Sequence, residues 1–156
     1  MPNKYAYKYS VALIRESRLS YPLDEQLGHS AHAARVLWSQ LNTTDREHCV
    51  LLFLDQKHRI NGYHTLSIGS HKAGIVSPRM VFKLALVSEA AALIIGHNHP
   101  SGDPTPSSED RVITHRLVEA GKLLDVPVLD HVIVGSGTEN LRYFSFADAG
   151  ILEKVS

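Results

Sequence analysis

The run Ala91-Ala92-Leu93-Ile94-Ile95-Gly96-His97-Asn98-His99-Pro100-Ser101-Gly102-Asp103-Pro104-Thr105-Pro106-Ser107-Ser108-Glu109-Asp110 joins a strand, a tight loop and the start of a helix. Side chains at i and i+2 of a strand leave from the same face, so His97 and His99 present two imidazoles to one point. Pro100 cannot donate to a sheet ladder; the strand is expected to stop at His99 and the chain to turn through Gly102 and Pro104. Ser107 is a good N-cap, and Ser107-x-x-Asp110 matches a capping pattern that opens a helix. The loop can then fold back and carry a carboxylate to the two rings. Two histidines and an acid suit zinc, and three protein ligands leave the fourth tetrahedral position for water or substrate. Helical geometry does not choose the acid. At roughly 100° per residue, Glu109 and Asp110 lie about 50° on either side of the stripe Ile113, Leu117, Ala120 and Leu124.

Outward from this run, helix-period and strand-period segments alternate. Tyr5, Tyr7, Tyr9, Val11 and Leu13 repeat every second residue, which predicts an N-terminal strand; its tyrosine face suits burial by a partner chain, so a homodimer is an expectation. Pro22 and Asp24 open a helical pattern in which Leu27, Ala31, Ala34, Leu37 and Leu41 recur at three and four, ending near Asn42. Cys49 to Leu54 is apolar on both faces and reads as a central strand, turning through Asp55 to Arg59 into Ile60 to Ile68. Ser77 followed by Pro78 starts a helix to about Glu89. A helix from Ser107 to about Leu124, a strand over Val126 to Val134 and a short final helix over Ser145 to Leu152 complete the chain. The pattern is an α/β sandwich with helices around one sheet.

The 156 residues fit one ordinary domain with a real core, so a single domain over 1–156 is expected. Lysine plus arginine and aspartate plus glutamate number 16 each, and no long basic run marks a nucleic-acid footprint, so nucleic acid is not indicated by charge. Ten histidines are an unusual supply of metal ligands. Cys49 stands alone in an apolar run, which excludes an internal disulfide and favours core filling over nucleophilic chemistry. No run of about 18 apolar residues and no signal-peptide pattern occurs, so a cytoplasmic protein without a membrane span is expected.

The phrase His97-x-His99-Pro100, then Ser107-x-x-Asp110, resembles the JAMM motif of JAB/MPN-domain metalloproteins. The wording His-Asn-His-Pro-Ser-Gly-Asp-Pro resembles the RadC-type branch. Val50-Leu51-Leu52-Phe53-Leu54-Asp55, Pro78-Arg79, Leu129-Asp130-His131 and Ser145-Phe146 fit that branch in order, so the resemblance covers about residues 25 to 152. It implies a cytidine-deaminase-like, MPN-type mixed sheet flanked by helices in a three-layer sandwich. It also implies zinc on His97, His99 and Asp110, with Ser107 as the motif serine and an upstream glutamate as acid/base. The motif's serine or threonine between the histidines is Asn98 here, as in the RadC branch, a departure from the deubiquitinating members. Longer RadC-type proteins carry an N-terminal helical region expected to touch DNA, which this chain is expected to be too short to hold.

Glu47, just before the Cys49 to Leu54 strand, stands where the RadC-type pattern carries a glutamate and is the candidate for moving the proton of a zinc-activated water. Ser107 can stabilise an oxyanion while capping the helix, since a hydroxyl offers one donor and two lone pairs. His131 is expected to be structural or to sit behind the ligands, Asp103 to form a turn, and His29 and His32 to lie on a solvated face. His64 and His71 receive no role. Three function classes follow: a zinc-dependent hydrolase of a peptide or isopeptide bond in a peptide or protein substrate, a metal-dependent enzyme on nucleic acid, and a non-enzymatic zinc-containing interaction domain. The first leads because zinc, water, Glu47 and Ser107 form a complete set for attack on a carbonyl.

Overall fold

The computed structural model describes residues 6, 8–14, 16–18, 26–67 and 76–152. Its helices are α1 (Ser30–Leu41), α2 (Pro78–Val87) and α3 (Ser108–Leu123), and its strands β1 (His48–Leu54), β2 (Ile60–Ser67), β3 (Ala92–His99), β4 (Val128–Gly135) and β5 (Tyr143–Ser145). The strands form one sheet in the order β2-β1-β3-β4-β5. Only the β3–β4 pair is parallel, with α3 as its crossover; β1–β2, β1–β3 and β4–β5 are antiparallel.

β1, β3 and β4 are the inner strands, and β1 and the first half of β3 are apolar on both faces because both faces are covered. On one side Cys49, Leu51, Phe53, Leu93 and Ile95 pack with Val81, Phe82 and Ala85 of α2 and Leu117 and Val118 of α3. On the other, Val50, Leu52, Leu54, Ile94, Val132 and Val134 pack with Ala33, Ala34, Leu37 and Leu41 of α1. The result is the expected α/β three-layer sandwich with a mixed sheet. α1 lies close against β3 because Gly96 has no side chain: a Cβ there would sit 2.3 Å from a Leu37 methyl. Strict alternation then sends Gly96 and Asn98 toward α1, and His97 and His99 toward α3.

Local chemistry explains most boundaries. The β1–β2 turn is held by Asp55, whose Oδ1 accepts from the backbone of Lys57 at 2.8 Å and Arg59 at 2.9 Å. Ser77 caps α2 by accepting from Met80 N, with Pro78 in the first turn. Ser107 caps α3 in a full capping box with Asp110.

Three expectations are corrected. The N-terminal strand does not form among the described residues: 8–14 are unpaired, and Tyr9, Val11, Leu13 and Ile14 are exposed. Alternation supplies a face but no ladder partner; Tyr5 and Tyr7 lie outside the described residues. Residues 26–28 are not helical, since Leu27 N–H donates to the carbonyl of His58 in the β1–β2 turn at 3.0 Å and draws the chain away from the α1 axis. Pro22 and Asp24, and the expected continuation of β2 to Ile68, lie outside the described residues. The final helix is absent among the described residues: Tyr143–Ser145 is strand β5, and 146–150 are turns. The buried Asp130 carboxylate accepts from Ser145 Oγ at 2.6 Å and Ala147 N at 3.0 Å, tying this segment to β4.

Candidate metal centre

β3 ends on two imidazoles facing the first turn of α3. His97 is 4% exposed and Asp110 6%, so an ionised carboxylate is held here among ring nitrogens with little water to screen it. His97 Nε2 lies 3.2 Å from Asp110 Oδ1, His99 Nε2 lies 3.5 Å from Asp110 Oδ2, and the two Nε2 atoms are 3.1 Å apart. Among the described residues these three form the group of His, Cys, Asp and Glu side chains able to hold a metal ion, their ligand atoms all within 4.8 Å of one another. The acid is Asp110, not Glu109. Glu109 is exposed, whereas Asp110 is the N3 residue of the capping box and is turned back over the cap toward β3.

The hydrogen bonds behind the ligands determine which nitrogen carries each proton. Thr114 Oγ1 donates its single proton to the Asp110 carbonyl at 2.6 Å. Its contact with His131 Nδ1 at 2.5 Å must then be donated by the ring. Burial holds His131 neutral, well below the ordinary value of 6.5, so its Nε2 is an acceptor. The 2.8 Å contact between His131 Nε2 and His97 Nδ1 is therefore donated by His97. This leaves His97 Nε2 facing the centre as the ring nitrogen available to a metal. His99 is held in the same way: its Nδ1 donates to the Asp103 carbonyl at 2.8 Å, an acceptor only, so Nδ1 holds a proton and Nε2 is the nitrogen turned to the centre. Two ring Nε2 atoms and a carboxylate converge, a donor set that fits a divalent cation.

Without a cation the same atoms must share protons. Burial opposes the charge on Asp110, but hydrogen bonds from His97 and His99 outweigh it and hold the carboxyl far below the usual carboxylate range. The Asp110 carboxylate correspondingly raises the His99 imidazole above 6.5, partial burial opposing.

A family model described as a RadC-like JAB domain matches residues 27–151. The chain belongs to the RadC-like JAB domain family. It is similar to a UPF0758 protein of Methanosarcina mazei, 45% identical over 118 residues that cover 76% of this chain and 50% of the relative. It is likewise similar to one of Methanococcoides burtonii, 47% identical over 117 residues covering 75% and 49%, and to one of Desulfitobacterium hafniense, 40% identical over 146 residues covering 93% and 63%. The chain thus spans about half the length of the first two.

Within this RadC-like domain, the structure brings His97, His99, Asp110, Ser107 and Glu47 to one place. Glu47 approaches through Oε1, 3.9 Å from His97 Nε2, and its side chain is 41% exposed. Ser107 Oγ donates to Asp110 Oδ2 at 2.7 Å and accepts from Asp110 N at 3.1 Å, so its one proton is engaged by the acid it caps. Asp103 forms its turn, accepting from Thr105 N and Oγ1, and its carbonyl also orients His99. His131 sits behind His97, stacked on Phe146 with ring centroids 5.0 Å apart. His29 and His32 meet edge to face at 5.7 Å, away from the metal group; His71 lies outside the described residues. Burial, then the neighbouring Glu47 charge, pushes the Cys49 thiol up to about 12, in keeping with core filling.

Sequence reasoning missed Thr114 and Ser136. Thr114 had a readable signal, standing four residues after Asp110 and hence on the same helix face. Ser136, just past the end of β4, had none.

Proposed function

We propose that this domain is a zinc-dependent hydrolase that cleaves a peptide or isopeptide bond in a peptide or protein substrate. The reading rests on one observation: the Nε2 atoms of His97 and His99 and the Asp110 carboxylate converge where a second carboxylate, that of Glu47, arrives from just before β1. Three protein ligands suit a catalytic zinc better than a structural one, which is usually closed by four. Zinc held by His97, His99 and Asp110 would supply Lewis-acid activation of water, bringing its pKa to about 7.

The protein groups divide the remaining work. His97 and His99 keep their Nε2 lone pairs inward because His131 and the Asp103 carbonyl hold the protons on Nδ1. Glu47 is the proton carrier: half in water and free of a strong partner, it can take a proton from the attacking water and deliver it to the leaving amine. Ser107 is assigned to the oxyanion. Its proton, now donated to Asp110 Oδ2 at 2.7 Å, must turn to the substrate for this.

The reading is tested by metal analysis of the purified chain, followed by hydrolysis of peptide, isopeptide and DNA panels by wild type and Glu47→Gln. Metal-dependent cleavage of peptide or isopeptide bonds, lost in Glu47→Gln by at least about 100-fold, is the expected result. Cleavage confined to DNA, or bound metal with no cleavage at all, would replace the peptidase reading by one of the other two classes.

A further inference from the structure

The Asn98 side chain leaves β3 on the face opposite the imidazoles and is completely buried. Its Oδ1 accepts from His48 N–H at 2.8 Å, and its Nδ2 donates to the Arg46 carbonyl at 2.9 Å and to Ser136 Oγ at 3.1 Å. The β1–β3 ladder ends at the pair Cys49 and His97. One step further out, the carboxamide takes over from the backbone and grips the approaching chain.

The two peptide groups it grips are those on either side of Glu47. The Arg46 carbonyl belongs to the peptide entering Glu47, and the His48 N–H to the peptide leaving it. Pinning both restrains φ and ψ at Glu47 and so fixes the direction of its Cα–Cβ bond. Cys49, two residues on, lies on the α3 face of the sheet, and alternation puts Glu47 on that same face with His97 and His99. The Glu47 carboxylate is 41% exposed and 3.9 Å from His97 Nε2, too loosely held to fix its own position. Its backbone must supply that position.

We propose that Asn98 is the positioning residue for Glu47, a clamp reaching through the sheet from the α1 side to aim the acid/base carboxylate at the metal centre. The proposal rests on the assignment of Glu47 as proton carrier. A carboxamide suits the task because it offers an acceptor and a donor side by side, matching the N–H and the C=O that flank a single residue. Aspartate has the same shape but would turn an acceptor toward the Arg46 carbonyl. Serine has a single proton and a shorter stem.

The test uses protein labelled with carbon-13 at the glutamate side-chain carboxyl and titrated with Mn²⁺, whose paramagnetism broadens nearby signals. The Glu47 signal is identified by its loss in Glu47→Gln. In wild type it should broaden strongly. In Asn98→Asp and Asn98→Ser the broadening should fall at least about threefold while one Mn²⁺ still binds per chain. In hydrolysis assays with zinc, the same variants should lower kcat by about tenfold or more with KM nearly unchanged, and add no loss in a Glu47→Gln background. Unchanged broadening, or an equal loss with and without Glu47, overturns the proposal. If broadening falls as expected and wild type cleaves nothing, the clamp stands and the hydrolase reading alone fails. If wild type is an active hydrolase and broadening persists, the reverse holds. Should Asn98→Asp not fold, Asn98→Ser carries the same expectations.

Discussion

Replacing Thr114 by valine removes one hydroxyl that touches no metal ligand side chain, yet it should weaken metal binding about 10- to 100-fold, or about 1.4–2.7 kcal/mol. Thr114 Oγ1 is the acceptor that keeps the His131 proton on Nδ1. His131 is 2% exposed, so an orphaned Nδ1–H would cost about 1–3 kcal/mol. The ring escapes by moving its proton to Nε2 and donating to His97 Nδ1. His97 must then carry its own proton on Nε2, where Asp110 Oδ1 at 3.2 Å accepts it. The metal-free variant therefore tolerates the change, and the penalty falls on the metal-bound form, which needs that Nε2 lone pair. His131→Leu should act in the same direction by stranding the His97 Nδ1–H. Competition of each variant against a zinc chelator measures the affinity, and nitrogen-15 shifts of the rings report the tautomer. His131 should read as the Nδ1–H form in wild type and as Nε2–H in Thr114→Val. Affinities within twofold of wild type for both variants would refute the relay.

Other consequences are more local. Gly96→Ala places a methyl 2.3 Å from Leu37 Cδ2, an overpacking that should cost about 1–3 kcal/mol and lower Tm by several degrees in a thermal melt, while one metal still binds. Ser107→Ala removes the α3 cap and a hydrogen bond to Asp110; chemical denaturation should show a loss of about 1 kcal/mol, with a further loss in kcat if Ser107 serves the oxyanion. Stability of the metal-free chain should depend on pH through two groups of opposite sign. Asp110 is depressed, so its contribution is complete above its ordinary 3.8 and is lost on acidification. His99 is raised, so its contribution is complete below 6.5 and is lost as pH rises through its folded value. The site should therefore stabilise the metal-free fold most between these limits, and denaturation of Asp110→Asn across pH should show both limbs flattened.

The parts of the molecule that were legible in the sequence are those decided by near neighbours. His97 and His99 share a face because a strand alternates; the chain turns after them because Pro100 cannot pair; Asp110 points back because Ser107 caps its helix. Spacing could not separate Glu109 from Asp110, and the fold does so by burying one and exposing the other. Two failures arose where a local pattern lacked its long-range partner. The alternation of Tyr9, Val11 and Leu13 met no strand, and Ser145–Phe146 was taken from helix to strand and turn by the carboxylate of distant Asp130. The relay Thr114–His131–His97 joins residues 17 and 34 positions apart, and the Asn98 clamp reaches back 50 and 52. Neither separation leaves a periodic trace.

A single cation at the end of β3 is the feature on which the chemistry depends. Zinc-loaded protein, exchanged free of excess metal and measured by elemental analysis together with anomalous diffraction, should hold one ion per chain between His97 Nε2, His99 Nε2 and the Asp110 carboxylate, with one coordination position not filled by protein. Asp110→Asn or His97→Ala should lose it. An ion bound elsewhere, or full stoichiometry in both variants, would contradict the account.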